Sequence, residues 1–150
     1  CEAAAYYKTK NMTLWDAMLA MYERYGYYKD DVTAITLKGI EGLAKIQEIM
    51  EYFRNHEPAE FAGCKVLSAR DYKADTIRDT ATGEVKPTGL PSSNVLYYDL
   101  EDSAWLCVRP SGTEPKIKFY YGVKGTSLAD ADEKAEKLGK AVMDIVNGLL

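Results

Sequence analysis

The stretch from Ser103 to Val123, SAWLCVRPSGTEPKIKFYYGV, contains two alternating segments separated by residues that favour a turn. Apolar side chains alternate with others over Ser103–Arg109 and again over Lys116–Val123, which predicts two β-strands that each bury one face. Pro110 and Pro115 bracket the connection. Because proline lacks a backbone donor and fixes φ, both favour a loop. The sequence therefore predicts a loop held between two strands at one end of a sheet.

The predicted loop has the groups that a phosphate site uses. Arg109 offers a planar fork of donors that can bind two oxygens at once, and Ser111 and Thr113 offer hydroxyls. Gly112 has no side chain, so the chain can turn sharply there and bring backbone N–H groups close to an anion. The alternative is a solvated hairpin connection with Arg109 on its surface. The residue types alone leave both interpretations open.

The charge around this loop differs from the charge of the whole chain. The net charge is −4 and the pI is about 5.1, which argues against a broad face for nucleic acid or a membrane surface. Between positions 109 and 124 there are four cations and one acid, namely Arg109, Lys116, Lys118 and Lys124 against Glu114. This local excess of positive charge favours an anion site.

The sequence predicts that the chain is divided into a short N-terminal segment and one domain. In residues 1–29, Thr13 and Asp16 resemble a helix start, and apolar residues recur at helical spacing over Leu14–Tyr25. This part has too little core of its own, so we expect it to be the helical tail of a preceding domain. The chain opens without Met, and we expect it to be a fragment of a longer protein. Residues 30–150 are expected to form the C-terminal domain.

Residues 30–150 predict an α+β domain. Besides the two strands around the loop, strands are expected over Val32–Leu37, Lys65–Arg70 and Asn94–Leu100. Two amphipathic helices are expected, one from Gly39 to about Asn55 and one at the C-terminal end. Their apolar stripes are Ile40, Leu43, Ile46, Ile49, Met50 and Phe53 in the first, and Leu128, Ala131, Ala135, Leu138, Val142, Ile145 and Leu149 in the second. We predict an antiparallel sheet of four to five strands with both helices packed on one face.

The remaining segments add few candidate sites. Residues 71–93 have little periodicity, with one candidate hairpin between residues 76–78 and 84–86. His56 is the only histidine and is expected at a helix end. The acids Asp130, Asp132 and Glu133 lack the spacing of a calcium loop. Three cysteines far apart are typical of free thiols in a reducing cytoplasm, and the sequence shows neither a signal peptide nor an apolar run of membrane-spanning length.

The loop and its surroundings resemble a known family. Arg109-Pro110-Ser111-Gly112-Thr113-Glu114-Pro115-Lys116, followed by Lys118-Phe119-Tyr120, is similar to the phosphate-binding loop of the α-D-phosphohexomutases, the phosphoglucomutase and phosphomannomutase group. The segments Leu37-Lys38-Gly39, Ala69-Arg70-Asp71-Tyr72 and Ser93-Asn94-Val95-Leu96 resemble the last domain of that family, and Leu14-Trp15-Asp16 with Tyr25-Gly26 resembles the end of its third domain. The resemblance implies the TATA-box-binding-protein-like fold of the family's C-terminal domain.

The resemblance also implies a function. Such enzymes have four domains and transfer a phosphoryl group between O1 and O6 of a hexose through a bisphosphorylated sugar, using a phosphoserine in the first domain and Mg²⁺ in the second. The fourth domain binds the phosphate that is not reacting. By that implication Arg109, Ser111, Gly112 and Thr113 bind phosphate. Glu114 is expected to hold the loop, and Lys116 and Lys118 to support it.

Neither the catalytic Ser-His-Asn-Pro stretch nor the Asp-Gly-Asp-x-Asp-Arg metal loop occurs in this sequence. We therefore expect these 150 residues to hold no catalytic or metal site and to be inactive alone. The expected partners are a phosphosugar and the remaining domains of the same chain, with neither nucleic acid nor membrane. The resemblance implies that the third domain selects the sugar, so this sequence does not identify which sugar is preferred. The sequence does not predict the oligomeric state either. The alternatives are a standalone module for a phosphorylated or acidic ligand and, disfavoured by the net charge, a nucleic-acid binder.

Overall fold

The computed structural model describes residues 1–150, which begin with two helices outside the sheet, α1 (Glu2–Lys8) and α2 (Leu14–Tyr25). A capping box starts α2: the Asp16 N–H donates to the Thr13 hydroxyl, and the Asp16 carboxylate accepts from the Thr13 N–H. Neither helix contains a buried residue. The predicted helix is confirmed, and its apolar side lies on the surface of this chain.

Eight strands form an antiparallel sheet in the order β1-β8-β7-β6-β3-β4-β5, and β2 pairs with β3. Their bounds are β1 Tyr27–Thr36, β2 Glu60–Phe61, β3 Cys64–Asp71, β4 Thr76–Asp79, β5 Val85–Lys86, β6 Leu96–Leu100, β7 Trp105–Pro110 and β8 Lys116–Gly125. A 3₁₀ turn, Glu101–Ser103, joins β6 to β7. The α+β fold class is confirmed.

The predicted strand count was too low. The five predicted strands correspond to β1, β3, β6, β7 and β8, and three short strands, β2, β4 and β5, add to them. The candidate hairpin is confirmed, since β4 and β5 pair through Ile77 with Lys86 and Arg78 with Val85. Strands of two to four residues carry too little hydrophobic pattern to be counted from sequence.

The first strand also begins earlier than predicted, at Tyr27 instead of Val32. It pairs with β8 along its whole length, from Tyr27 opposite Gly125 to Thr36 opposite Lys116. The pairing holds residues 27–31 in a strand, although these residues do not show the alternating apolar pattern of one. The predicted division between residues 29 and 30 therefore falls inside β1, and the domain division itself stays a prediction.

Two helices, α3 (Gly39–Asn55) and α4 (Leu128–Asn147), pack on one face of the sheet, as predicted. The core consists of apolar residues of both helices and the inward positions of β3, β6, β7 and β8, among them Met50, Phe53, Tyr98, Leu106, Val108, Phe119, Leu138 and Val142. The other face of the sheet is open. No helix combines the length with the apolar composition that a membrane crossing needs.

The apolar stripe predicted for α3 is only partly buried. Ile46, Ile49, Met50 and Phe53 are buried, whereas Ile40 is 88% exposed and Leu43 is 50% exposed. The first turn of α3 extends past the edge of the core, so its apolar side chains have nothing to pack against within this chain. Their assignment to the core was therefore wrong.

We predict that Tyr98→Phe lowers the free energy of unfolding by about 1–3 kcal/mol. The Tyr98 hydroxyl donates to the Phe53 carbonyl at 3.0 Å. Phe53 lies in the last turn of α3, where no N–H group of the helix donates to the carbonyls, so without the Tyr98 hydroxyl its oxygen would be buried and unpaired. Urea unfolding measures the change. Tyr97→Phe, a half-exposed control on the other face, should change stability by less than about 0.5 kcal/mol. Equal effects would contradict the assigned role.

We also predict that stability falls as the pH rises above about 10, where unfolded tyrosine begins to ionise. Burial raises the pKa of the Tyr98 phenol well above that value, so the folded protein retains a proton that the unfolded chain loses. The stabilising contribution is therefore present below pH about 10 and lost above it. Urea midpoints between pH 8 and 11 measure the slope, and Tyr98→Phe should reduce it. A slope unchanged in that variant would contradict the prediction.

Candidate phosphate-binding site

The loop between β7 and β8 is fixed by backbone hydrogen bonds at the end of the sheet. The strands pair up to the loop, with Arg109 opposite Lys118. Across its mouth the Ser111 N–H donates to the Lys116 carbonyl at 2.7 Å, and the Lys116 N–H donates to the Glu114 carbonyl at 2.7 Å. The Leu37 N–H donates to the Pro115 carbonyl at 2.9 Å, which joins the loop to the end of β1. The loop is therefore held between two paired strands at the end of the sheet, as predicted.

The Ser111 side chain shapes the loop from within. Its hydroxyl oxygen accepts from the Thr113 N–H at 3.4 Å and from the Glu114 N–H at 3.3 Å. These bonds are long and weak, and the hydroxyl proton has no acceptor in the chain. Ser111 can therefore order the loop and still donate to an oxygen outside it.

Arg109 differs from the other arginines of residues 30–150 because it has no carboxylate partner. Three of the four are paired: Arg54 with Asp71 and Glu51, Arg70 with Asp99, and Arg78 with Glu57. Arg109 is exposed and forms neither an ion pair nor a hydrogen bond through its guanidinium. An unpaired guanidinium has all five donors available for an anion.

Gly112 does not use the left-handed backbone conformation that favours glycine. A Cβ built at this position would meet no atom within 4 Å. The chain does bend at Gly112, as predicted, but with a backbone conformation that does not itself require glycine. Instead the position leaves open space beside a backbone N–H that makes no hydrogen bond in the chain, so an anion can approach it closely.

The sequence-based count of positive charge near the loop wrongly included Lys124. Lys124 lies eight residues along β8 from Lys116, roughly 26 Å away at strand spacing, where its ammonium contacts the Tyr28 ring. Lys38 lies at the loop end instead, because it follows Leu37, whose N–H binds the loop. Lys38 is also the N-cap of α3, so the positive end of the helix dipole lies at the same edge. The local positive charge thus comes from Arg109, Lys116, Lys118 and Lys38.

Glu114 contributes to the loop through its backbone. Its N–H donates to Ser111 and its carbonyl accepts from Lys116, while its exposed carboxylate makes no ion pair or hydrogen bond. The expected role of holding the loop is therefore carried by main-chain atoms.

A cavity of about 470 Å³ lies beside the loop. Its walls are the loop itself, α3 around Gln47, and residues 93–95 before β6, with Asn94 at their centre. This volume is within the range of small-molecule sites and exceeds what one phosphate needs. Neither Gln47 nor Asn94 was predicted as a site residue. Single polar residues on a helix face and in an irregular segment give no chemical signal, and only the folded chain places them beside Arg109.

The groups near the loop favour anion binding over covalent chemistry. Burial raises the pKa of the nearby Cys107 thiol, while the Arg109 charge acts in the opposite direction, so the thiol stays protonated at neutral pH. His56, the only histidine, lies at the opposite end of α3 from Lys38 and the loop, and its ring stacks on Tyr52 with the ring centroids 4.5 Å apart. No group of three or more His, Cys, Asp or Glu side chains in the chain has the arrangement of a metal site.

Comparisons with known proteins agree on one family. A model described as "Phosphoglucomutase/phosphomannomutase, C-terminal domain" matches residues 41–140. A phosphoglucomutase of Staphylococcus saprophyticus is 34% identical over 125 residues, 83% of this chain and 22% of that protein. A Staphylococcus aureus phosphoglucomutase is 35% identical over 135 residues, 90% of this chain and 24% of that protein. The chain thus spans under a quarter of the length of these relatives.

The fold is similar to that of a solved structure. The open form of parafusin, a phosphoglucomutase from Paramecium described as an exocytosis-sensitive phosphoprotein, aligns with a TM-score of 0.51 at 18% identity. The alignment covers 94% of this chain and 25% of the parafusin chain. At this identity the similarity concerns the fold alone.

We predict that Gly112→Ala leaves stability unchanged or raises it by about 0.4–1 kcal/mol, since the backbone is ordinary and the space is open. Gly125→Ala is the matched control on β8, because a Cβ there would meet the backbone of Ala131 in α4. That variant should lose about 1–3 kcal/mol through overpacking. Urea unfolding compares the two, and a destabilised Gly112→Ala protein would contradict the described loop.

Proposed function

The chain belongs to the phosphoglucomutase/phosphomannomutase family, as its C-terminal domain, and on that premise we propose that it binds the non-reacting phosphate of a phosphohexose. The proposed reaction of the whole enzyme is intramolecular phosphoryl transfer between O1 and O6 of the sugar. The 150 residues provide the phosphate clamp and are inactive alone.

The observation that carries this proposal is the unpaired guanidinium of Arg109 beside a loop with a free N–H at Gly112 and a free hydroxyl proton at Ser111. An exposed cation next to Lys118 is electrostatically unfavourable without an anion. A phosphate dianion would relieve that repulsion and accept several charge-assisted bonds. Thr113, exposed on the same loop, can supply a second hydroxyl.

The clamp contributes to catalysis at a distance. Binding energy from a phosphate that does not react can hold the sugar in one orientation at the reacting end. In the proposed cycle the bisphosphorylated hexose turns over, so the same loop receives either phosphate in turn. The chain's own residues bind and orient the sugar, and no proton or phosphoryl group moves within them.

The resemblance implies Mg²⁺ in the full-length enzyme, and the residues of this chain do not fit it. They bring no set of three candidate ligands together. Around the loop the cations Arg109, Lys116, Lys118 and Lys38 outnumber Glu114, and this net positive charge would repel a metal ion. We therefore propose that Mg²⁺ and the phosphoserine belong to other domains of the full-length enzyme.

We propose the other domains of the same chain as the principal macromolecular partner, in the cytoplasm. The apolar side of α1 and α2 supports this assignment. This apolar side is exposed and lines an open groove of about 500 Å³, whose walls are mostly apolar side chains such as Met12, Met18 and Met21. Two helices without a buried residue need another surface to pack against.

We predict that Arg109→Ala weakens phosphate binding about ten- to hundredfold, the value of one lost charge-assisted contact of about 1.5–3 kcal/mol. Equilibrium titration of the chain with inorganic phosphate measures the loss, and in the full-length enzyme kcat/KM should fall by the same order. Arg109→Lys should recover binding only partly, because an ammonium cannot form the bidentate pair.

The matched control for Arg109 is Arg24→Ala, which removes an exposed arginine of α2 that contacts the Tyr25 ring. It should leave phosphate binding unchanged. Equal binding by Arg109→Ala and the original chain would rule out Arg109 as the clamp and remove the main support for the proposal.

A further inference from the structure

Asn94 is held in one orientation by Arg54, a largely buried arginine. The Arg54 side chain is 16% exposed, and its Nε donates to Asp71 at 2.7 Å while its Nη1 donates to Glu51 at 2.6 Å. The remaining nitrogen, Nη2, donates to Asn94 Oδ1 at 2.9 Å. Three partners on three sides fix the guanidinium, and the guanidinium fixes Asn94.

The chemistry of arginine decides which end of the Asn94 amide is free. A guanidinium has donors only, so the side-chain oxygen must face Arg54 and the NH₂ group must face elsewhere. That NH₂ group makes no hydrogen bond in the chain, yet the only buried side-chain polar atom without a partner is Arg78 Nε. The Asn94 nitrogen is therefore accessible to solvent.

Asn94 lines the same cavity as the Arg109 loop but on a different wall. The loop wall carries the guanidinium and the free N–H, which suit a charged phosphate. The part of the lining outside the loop includes the neutral amides of Asn94 and Gln47. A neutral donor held in place suits a hydroxyl group, which gains a directed bond there without the desolvation of a second charge.

We infer that the Asn94 amide nitrogen donates a hydrogen bond to a hydroxyl of the phosphohexose whose phosphate lies in the Arg109 loop. The inference rests on the proposed function and deepens it by assigning a sugar contact to this domain. Arg54 acts through Asn94 and is a positioning residue. Asn94 thus makes the site prefer a sugar phosphate over inorganic phosphate.

The test titrates the ¹⁵N-labelled chain separately with inorganic phosphate, glucose 6-phosphate and mannose 6-phosphate, following the side-chain NH₂ signals of Asn94. We expect these signals to shift with a hexose phosphate and not with inorganic phosphate. Asn94→Ala should weaken hexose phosphate binding about two- to tenfold, the range for one neutral hydrogen bond, and leave inorganic phosphate binding unchanged. Asn147→Ala, an exposed position at the end of α4, is the control and should change neither.

Every other outcome overturns the inference. If Asn94→Ala keeps the original preference and the Asn94 NH₂ signals of the original chain do not move, Asn94 does not contact the sugar, and the proposed phosphate clamp still stands. If the variant weakens both ligands equally while its spectrum stays that of a folded protein, Asn94 supports the loop instead of the hydroxyl. If the original chain binds none of the three ligands, the proposed function fails together with the inference.

Discussion

The antiparallel pairing of β7 with β8 is the constraint on which the rest of the structure depends. It places Val108 and Phe119 on the inner face, where both are buried, and Arg109 and Lys118 side by side on the outer face. Because side chains alternate along a strand, a slip of one residue would exchange these two pairs. The register that fills the core is therefore the same register that concentrates positive charge at the loop.

The arginines of the domain divide into those that form ion pairs within the fold and one, Arg109, that is free to bind an anion. Arg54 of α3 pairs with Asp71 at the end of β3, and Arg70 of β3 pairs with Asp99 of the neighbouring strand β6, so both ion pairs join elements of the fold. Arg109 has no such partner, although acids are more numerous than cations in this chain. Leaving one cation unpaired beside Lys118 costs stability, which the core of α3, α4 and the sheet must offset. Such a local conflict is typical of a binding site.

Much of this architecture was predictable from sequence because it follows from the alternation of apolar and polar side chains along strands and from the prolines that interrupt them. Leu106 and Val108 predicted the buried face of β7, and Pro110 with Pro115 predicted the loop. The short strands β4 and β5 and the early start of β1 were less accessible, because pairing partners stabilise them more than their own residues do. The burial of Ile40 was predicted wrongly, since a helical stripe cannot show where the neighbouring sheet ends.

The candidate site was predictable in its loop and not in its surroundings. Arg109, Ser111, Gly112 and Thr113 are adjacent in sequence, so their residue types were visible together. Lys38 and Asn94 reach the same edge only through the backbone bond of Leu37 to the loop and the contact between Arg54 and Asn94. Lys124, which is close in sequence, is distant in the fold. Charge near a site is therefore set by strand register, which sequence counting does not include.

The claim that a phosphate binds at the loop is tested most directly by mapping the backbone amide signals of the ¹⁵N-labelled chain during titration with inorganic phosphate. The account predicts saturable shifts that are largest at Gly112 and its neighbours in residues 109–114. Shifts confined to other arginines, such as Arg54, Arg70 and Arg78, or no saturable shift in the loop, would contradict it.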